Sequence, residues 1–502
     1  MRAKRLSALF AAAVLTVTTL LLPCTTVPLL AKESTPEVTL RISNSEEYID
    51  TGGWDEEDTI DLPSGDILGI ESMVGEFKDW YYETYGVIVN VEYSTFGTNE
   101  DLYNMMTLGS EFDLVCPSEY MVMKMMAEDL LEPLSEEFFD TSDPNNYYIN
   151  GVSPYIQEIF DEEELDGESL SKYMAGYMWG ISGIVYNPAV VSEEDTSSWN
   201  VLNDEKYWRR ITIKDSVRDS YFAAVGAIKH DLLTSEEFVN DPDYSARLEE
   251  EMNDTSPETL AAAETWLQEV KDNAYAFETD AGKADMVTGK VVANYQWSGD
   301  VVYTLNEAEK DDLELAFTVP EEATNIYFDG WVMMKDGING DAAKKQAAEA
   351  FINYISRPDN VVRNMYYVGY TSCIAGGDDD TIYEYVDWCY GADDDEEDVV
   401  EYPVGYFFSG DSDDENYVIT APADQVNRQL SAAYPAEETL ERAAIATYFD
   451  PETNDRVNQM WIHVRCYNIR DVPVWGWVVL AAVVVVLVVF VVRRRMKKVR
   501  EK

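Results

Sequence analysis

The chain of 502 residues has little of the chemistry that most enzymes and metalloproteins need. It holds two histidines, His230 and His463, and neither has a partner at ligand spacing. Five cysteines are present, with no close Cys-x-x-Cys pair among them. That spacing excludes the usual zinc motifs, and neither a nucleophile elbow nor a metal-binding signature occurs. Carboxylates are abundant enough to supply a glycosidase pair. None of them is marked as standing alone in an apolar surround, so no catalytic residue, metal or cofactor is expected. Cys373 and Cys389 flank an acidic loop outside the cell, and the sequence leaves open whether they join as a disulfide.

Positive charge is also scarce: 36 Lys and Arg stand against 96 Asp and Glu. The two ends, 1–31 and 493–502, hold ten of the basic residues and one of the acidic ones. The region between therefore carries 26 against 95, a net charge near −69. Such a surface repels nucleic acid and anionic lipid and attracts cations. Runs such as DDDEED at 393–398 also serve general solvation.

What is present begins with the ends. MRAKRLSALFAAAVLTVTTLLLP opens on basic residues and continues into a long apolar run, which predicts an export signal over 1–31. LLLPC around Cys24 is similar to a lipid-attachment box, with Pro23 where such a box carries a small residue. Near the other end, VWGWVVLAAVVVVLVVFVV at 474–492 has no charge and RRRMKKVREK follows it. The pattern predicts a transmembrane helix, a basic cytoplasmic tail at 493–502 and a binding region held outside the cell membrane by a single pass.

Between the ends, periodicity predicts strand–helix alternation: strands over 38–43, 87–93 and 112–116, with helices over 66–85, 98–106 and 121–131. A second set follows, with strands in MWGISGIVYN, ITIK and VVANYQW and helices over 257–273 and 283–288. YFDGWVMMK and a helix over 342–355 come after it. Near-continuous apolar strands alternating with helices indicate a doubly wound α/β sheet. Two such sets without a flexible linker indicate two lobes joined by crossing strands.

Ligands of open α/β sheets bind at the carboxyl ends of strands. In this chain those positions carry Glu46, Glu47 and Tyr48; Ser118 and Tyr120; Asp215, Ser216 and Asp219; Trp297 and Asp300; Tyr327 and Asp329; and Tyr370. Aromatic rings and carboxylates recur, and Lys214 is the one lysine among them. Carboxylates hold ammonium groups by charge-assisted hydrogen bonds, and ring faces attract cations and cover methylenes.

The ordered pieces NSEEY, FGTNEDLY, FDLVCPSEYMVMKM, YMWGISGIVYN, KDSVRDSY, NYQWSGD, YFDGWV and INYISRPDNVVRNMYYVGY resemble the spermidine/putrescine substrate-binding proteins of bacterial ABC importers. The resemblance spans roughly 38–461. It implies a two-lobed type II periplasmic-binding-protein fold with chain crossovers between lobes, to which the C-terminal transmembrane helix is added. Lobe 1 is expected over 38–181 and 329–378, and lobe 2 over 182–328 and 379–468. By the same resemblance the polyamine contacts fall on Tyr48, Ser118, Tyr120, Asp219, Trp297, Asp300, Tyr327, Asp329 and Tyr370. Trp297 and Tyr327 are expected to sandwich the methylene chain, Asp329 to hold one ammonium, and Asp219 and Asp300 to stand near the others. Glu46 and Ser216 are additional candidates.

Departures from the family pattern lie at Ser45, Glu46 and Ser216, in an insertion over 52–64 and in the acidic stretch 376–415. The expected partners are a small-molecule polyamine and the permease subunits of an ABC transporter, with the protein a monomer and no nucleic acid bound. Two alternatives share the fold: a cation-binding surface sensor, and a ferric-iron binding protein suggested by Tyr366-Tyr367.

Overall fold

The computed structural model describes residues 35–466 except residue 394. The chain opens with β1 (Glu37–Ser45), α1 (Met73–Tyr85), β2 (Ile88–Phe96), α2 (Asn99–Thr107), β3 (Leu114–Val115) and α3 (Glu119–Ala127), the alternation expected. Helix α1 starts later than the periodicity indicated. Gly65–Ile67 pairs with Ile60–Leu62 in a hairpin, where Gly65 takes φ 144°, and the Ser72 side chain then caps the helix by accepting from the Gly75 amide. Met73, Phe77 and Tyr81, one turn apart, form its buried stripe.

Next comes β4 (Met174–Tyr186), buried at every residue. The second set follows as β5 (Ile211–Lys214), α4 (Val217–Ile228), β6 (Ala276–Glu278), α5 (Ala281–Val287), β7 (Ala293–Trp297) and α6 (Ser298–Lys310). β8 (Thr324–Met334) returns to the first set and α7 (Pro358–Val368) packs beyond it. The strand order is β6-β5-β7-β4-β8-β3-β1-β2. Pairing is parallel within each flank and antiparallel where β4 and β8 meet each other and their neighbours.

β4 and β8 are the crossing strands. Met174–Ile181 of β4 pairs with β8, while Ser182–Tyr186 pairs with β7. Each flank has its own core. Leu40, Ile42, Leu114, Trp331 and Phe351 belong to one, and Ile211, Ile213, Val225, Leu267 and Tyr295 to the other. The result is a two-lobed α/β architecture whose lobes share continuous backbone.

Residues 379–468 contribute to both cores. Tyr385, Phe407, Ile419 and Leu430 join the first core, and only the last part, including Val457 and Met460, joins the second. The cause lies in the aromatic run inside that stretch. Val399–Pro403 and Val418–Pro422 pair as a hairpin, and Phe407 stacks on Trp179 of β4 with ring centroids 5.7 Å apart. The carboxylates are left to face water.

A further correction concerns the ends, and the question left open at the cysteines is answered. The fold class was expected to include a transmembrane helix, but no helix among the described residues is long and apolar enough to cross a membrane. The architecture of the described residues is the two-lobed α/β fold. The expected signal at 1–31, span at 474–492 and tail at 493–502 lie outside the described residues. Cys373 and Cys389 are both free thiols, as are Cys116 and Cys466.

Candidate functional site

The site is built where β8 crosses between lobes. Tyr327 and Asp329 alternate along this strand, and its register against β4 shifts between Asp329 and Gly330. That irregularity re-aims the Asp329 carboxylate toward the end of β3, where Asp329 forms an isolated bridge with Ser118. The Ser118 hydroxyl donates to Asp329 Oδ1 at 2.6 Å, and the Tyr48 hydroxyl donates to Oδ2 at 2.7 Å. Asn99, on α2, holds Ser118 from both sides. Its Nδ2 donates to Ser118 Oγ at 2.9 Å, and its Oδ1 accepts from the Ser118 amide at 3.1 Å.

Both donors to Asp329 are neutral. Burial therefore dominates and pushes its pKa up; the two hydroxyls oppose the rise and the nearby charge of Asp219 adds to it. Burial likewise raises the phenols of Tyr48, Tyr327 and Tyr370, so each remains an uncharged donor. Rings wall this carboxylate: Tyr48 meets Tyr177 and Tyr370 edge-on, with centroids 5.6 and 5.2 Å apart. Tyr327 sits tightly against β4. A Cβ at Gly180 would come 2.5 Å from its hydroxyl oxygen, so only glycine fits there.

At the other end of the cleft stands the pair in NYQWSGD. Ser298 and Gly299 form the first turn of α6, with Trp297 at its N-cap and Asp300 three residues in. The Trp297 Nε1–H donates to Asp219 at 2.8 Å. Asp300 is paired within the protein: Lys214 Nζ lies 3.0 Å from Oδ2, Lys283 Nζ 3.1 Å from Oδ1, and the Tyr370 hydroxyl 3.3 Å from Oδ1. Burial favours the neutral acid, but the two ammonium charges outweigh it and hold the Asp300 carboxyl below the usual range.

The remaining candidates are more peripheral. Tyr120 turns its hydroxyl to Glu100 at 3.1 Å and its ring to the Arg218 guanidinium at 5.2 Å. Ser216 caps α4 by accepting from the Asp219 amide, and Glu46 is exposed. Tyr366 and Tyr367 lie on the outer side of α7. Tyr366 packs against Trp54, with ring centroids 4.9 Å apart, and Tyr367 shares a hydrogen bond with Thr51.

Sequence reasoning missed Lys283, Arg218, Tyr177 and Glu119. Glu119 opens α3, is 1% exposed, and accepts the Phe328 amide at 2.9 Å. Burial pushes its pKa up to about 8, partly offset by that amide. A carboxyl whose folded pKa is raised adds stability at low pH and loses it as pH rises. The wild-type protein is thus expected to lose stability through this group between about pH 4.5 and 8. Glu119→Gln should flatten that part of the profile in thermal melts while keeping the acceptor for Phe328.

Residues 73–384 match the family described as bacterial extracellular solute-binding protein. The putrescine-binding periplasmic protein PotF of Escherichia coli K12 is 25% identical over 293 residues, covering 57% of this chain and 71% of its own. The spermidine/putrescine-binding periplasmic protein of Salmonella typhimurium is 24% identical over 284 residues, 56% and 70% of the two chains. Among solved structures, the substrate-binding protein PotD from Streptococcus pneumoniae shares the fold, with a TM-score of 0.53 and 23% identity over 85% of this chain and 98% of its own. The TpPotD lipoprotein of Treponema pallidum does so at 0.54 and 18%, over 85% and 99%. With two lobes on crossing strands and a family match over more than half of its length, this chain is a member of the bacterial extracellular solute-binding protein family.

Proposed function

We propose that the cleft receives an organic ammonium of the polyamine class, putrescine or spermidine, and that the protein presents it to the permease subunits of an ABC importer. One observation carries this reading: Asp329, a part-buried carboxylate on a crossing strand, is held among the described residues by hydroxyl donors and ringed by Tyr48, Tyr327 and Tyr370. A carboxylate partly withdrawn from water, with no cation beside it, is held at a cost. A ligand ammonium placed there supplies the missing charge, and the rings add cation–π attraction and cover the adjoining methylenes. Asp219, near enough to raise the Asp329 pKa, adds a second negative charge. The names of the curated relatives support the same class.

The position on β8 also suggests how binding is transmitted. A ligand that bridges Asp329 and the α4 side of the cleft touches both lobes, so closure and occupancy favour each other. Titration of the purified protein with putrescine, spermidine and their mono-N-acetylated forms tests the reading; a folded protein without saturable heat for any of these amines contradicts it.

Acidification is expected to weaken the binding. The ammonium requires the ionised form of Asp329, whose pKa is raised, so affinity should fall with pH earlier than it would at an ordinary carboxylate. Where part of the population is protonated, binding releases protons. Calorimetry in two buffers of different ionisation enthalpy reads that release directly.

A further inference from the structure

The far end of the cleft already contains an ammonium. Lys214, the last residue of β5, has a side chain only 2% exposed. Its Nζ lies 3.0 Å from Asp300 Oδ2, 3.0 Å from the Thr279 carbonyl oxygen and 3.8 Å from the Trp297 ring centroid. A carboxylate, a carbonyl and an indole face are the partners that would otherwise receive a ligand ammonium. The Ser220 hydroxyl donates to the Lys214 carbonyl at 2.6 Å and pins the backbone from which the side chain extends.

Asp300 has little left to offer a ligand. It accepts from Lys214, Lys283 and Tyr370. Apart from Asp300, Lys283 pairs with Asp280, 3.2 Å away and mostly exposed to water. Two lysines therefore face one buried carboxylate, and a second ligand ammonium seated on Asp300 would meet like charge; Asp219, held by the Trp297 indole N–H, lies outside that pairing. The Asp329 end differs in kind, since its donors are neutral hydroxyls.

We infer that Lys214 fills the second ammonium position of the cleft, so that the preferred ligand is a monocation: an alkylamine with one ammonium at Asp329 and an uncharged far end, such as a mono-N-acylated diamine. This rests on the amine-binding reading above and narrows it. Lys214 and Lys283 are then specificity-determining residues that select against the free diamine. The ammonium of Lys214 is already fully partnered, so an uncharged far end suits it better than an anionic one.

The test is a calorimetric titration of the full chain with N-acetylputrescine, putrescine and spermidine. In the wild-type protein N-acetylputrescine is expected to bind about tenfold or more tightly than putrescine, the scale of one like-charge contact near a protein surface. Lys214→Met should raise putrescine affinity by about tenfold or more and leave N-acetylputrescine within roughly threefold. Lys283→Met, at a more exposed lysine, should move putrescine in the same direction by less and serves where Lys214→Met disturbs folding. Putrescine binding more tightly than its acetylated form in the wild type, unchanged in both variants, overturns the inference and leaves the amine-binding reading intact. Failure of all three amines to bind wild type and variants, each shown to be folded, overturns both.

Discussion

Asp329→Asn is expected to weaken amine binding by about two to four orders of magnitude, because the ligand ammonium would be buried opposite neutral groups at a loss of roughly 3–5 kcal/mol. One of its two hydroxyl partners, Tyr48 and Ser118, can still donate to the amide oxygen while the other turns to accept from the amide NH2, so the wall of the site should keep its shape. Stability should move the other way. Burial already raises the pKa of this carboxyl, and removing the charge removes a desolvation penalty that only the ligand offsets. Thermal melts of the unliganded proteins should show the variant equal to or above the wild type, while titration calorimetry shows the binding lost. A variant that lost stability and binding together would assign Asp329 a structural role instead.

Arg363→Met is expected to destabilise the fold by about 3–5 kcal/mol, the usual result of breaking a buried ion pair on one side. Arg363, on α7, is 4% exposed. Its guanidinium pairs with Asp50, donates to Glu76 at 2.5 Å and reaches the Glu71 carbonyl. Asp50 also accepts from the Gly52 amide at 2.7 Å and from Trp54 Nε1 at 3.2 Å, so it organises the loop that follows Tyr48. The neighbouring Asn364 accepts from the Asp50 amide and donates to the Tyr177 hydroxyl, which in turn donates to the Tyr48 carbonyl. Loss of Arg363 should therefore lower the melting temperature and weaken ligand binding through a misplaced Tyr48. Adding Asp50→Asn should recover part of the stability, since the main penalty is an unpaired buried charge. No recovery in the double variant would mean that lost packing, not charge, dominates.

The crossing strands were legible because β4 and β8 are long apolar runs with few polar interruptions, and strand–helix alternation is a local property. Helix α6 was not legible at its start. Trp-Ser-Gly reads locally as a strand end and a turn, and only tertiary packing shows that Trp297 caps a helix. The hairpin over 60–67 was hidden for a similar reason: Ile67, Ile70 and Met73 extend the apolar spacing of α1 backward.

The site divides along the same line. Tyr48, Ser118 and Asp329 were placed by the order of motifs, not by any periodicity, since they are 281 and 211 residues apart along the chain. The occupant of the Trp297–Asp300 grip was in view as the one lysine at a strand end. Its pairing with Asp300, 86 residues away, depends on β5 lying beside β7, which no local pattern encodes. Nothing in the local sequence marks Glu119, whose carboxylate accepts the Phe328 amide where α3 packs on the crossing strand β8.

The most direct measurement is a crystal structure of the protein with an amine bound. The account predicts the ligand nitrogen about 3 Å from the Asp329 carboxylate, between Tyr48 and Ser118, with Lys214 still on Asp300. An amine seated on Asp300 with Lys214 displaced, or one bound away from Asp329 altogether, would contradict it.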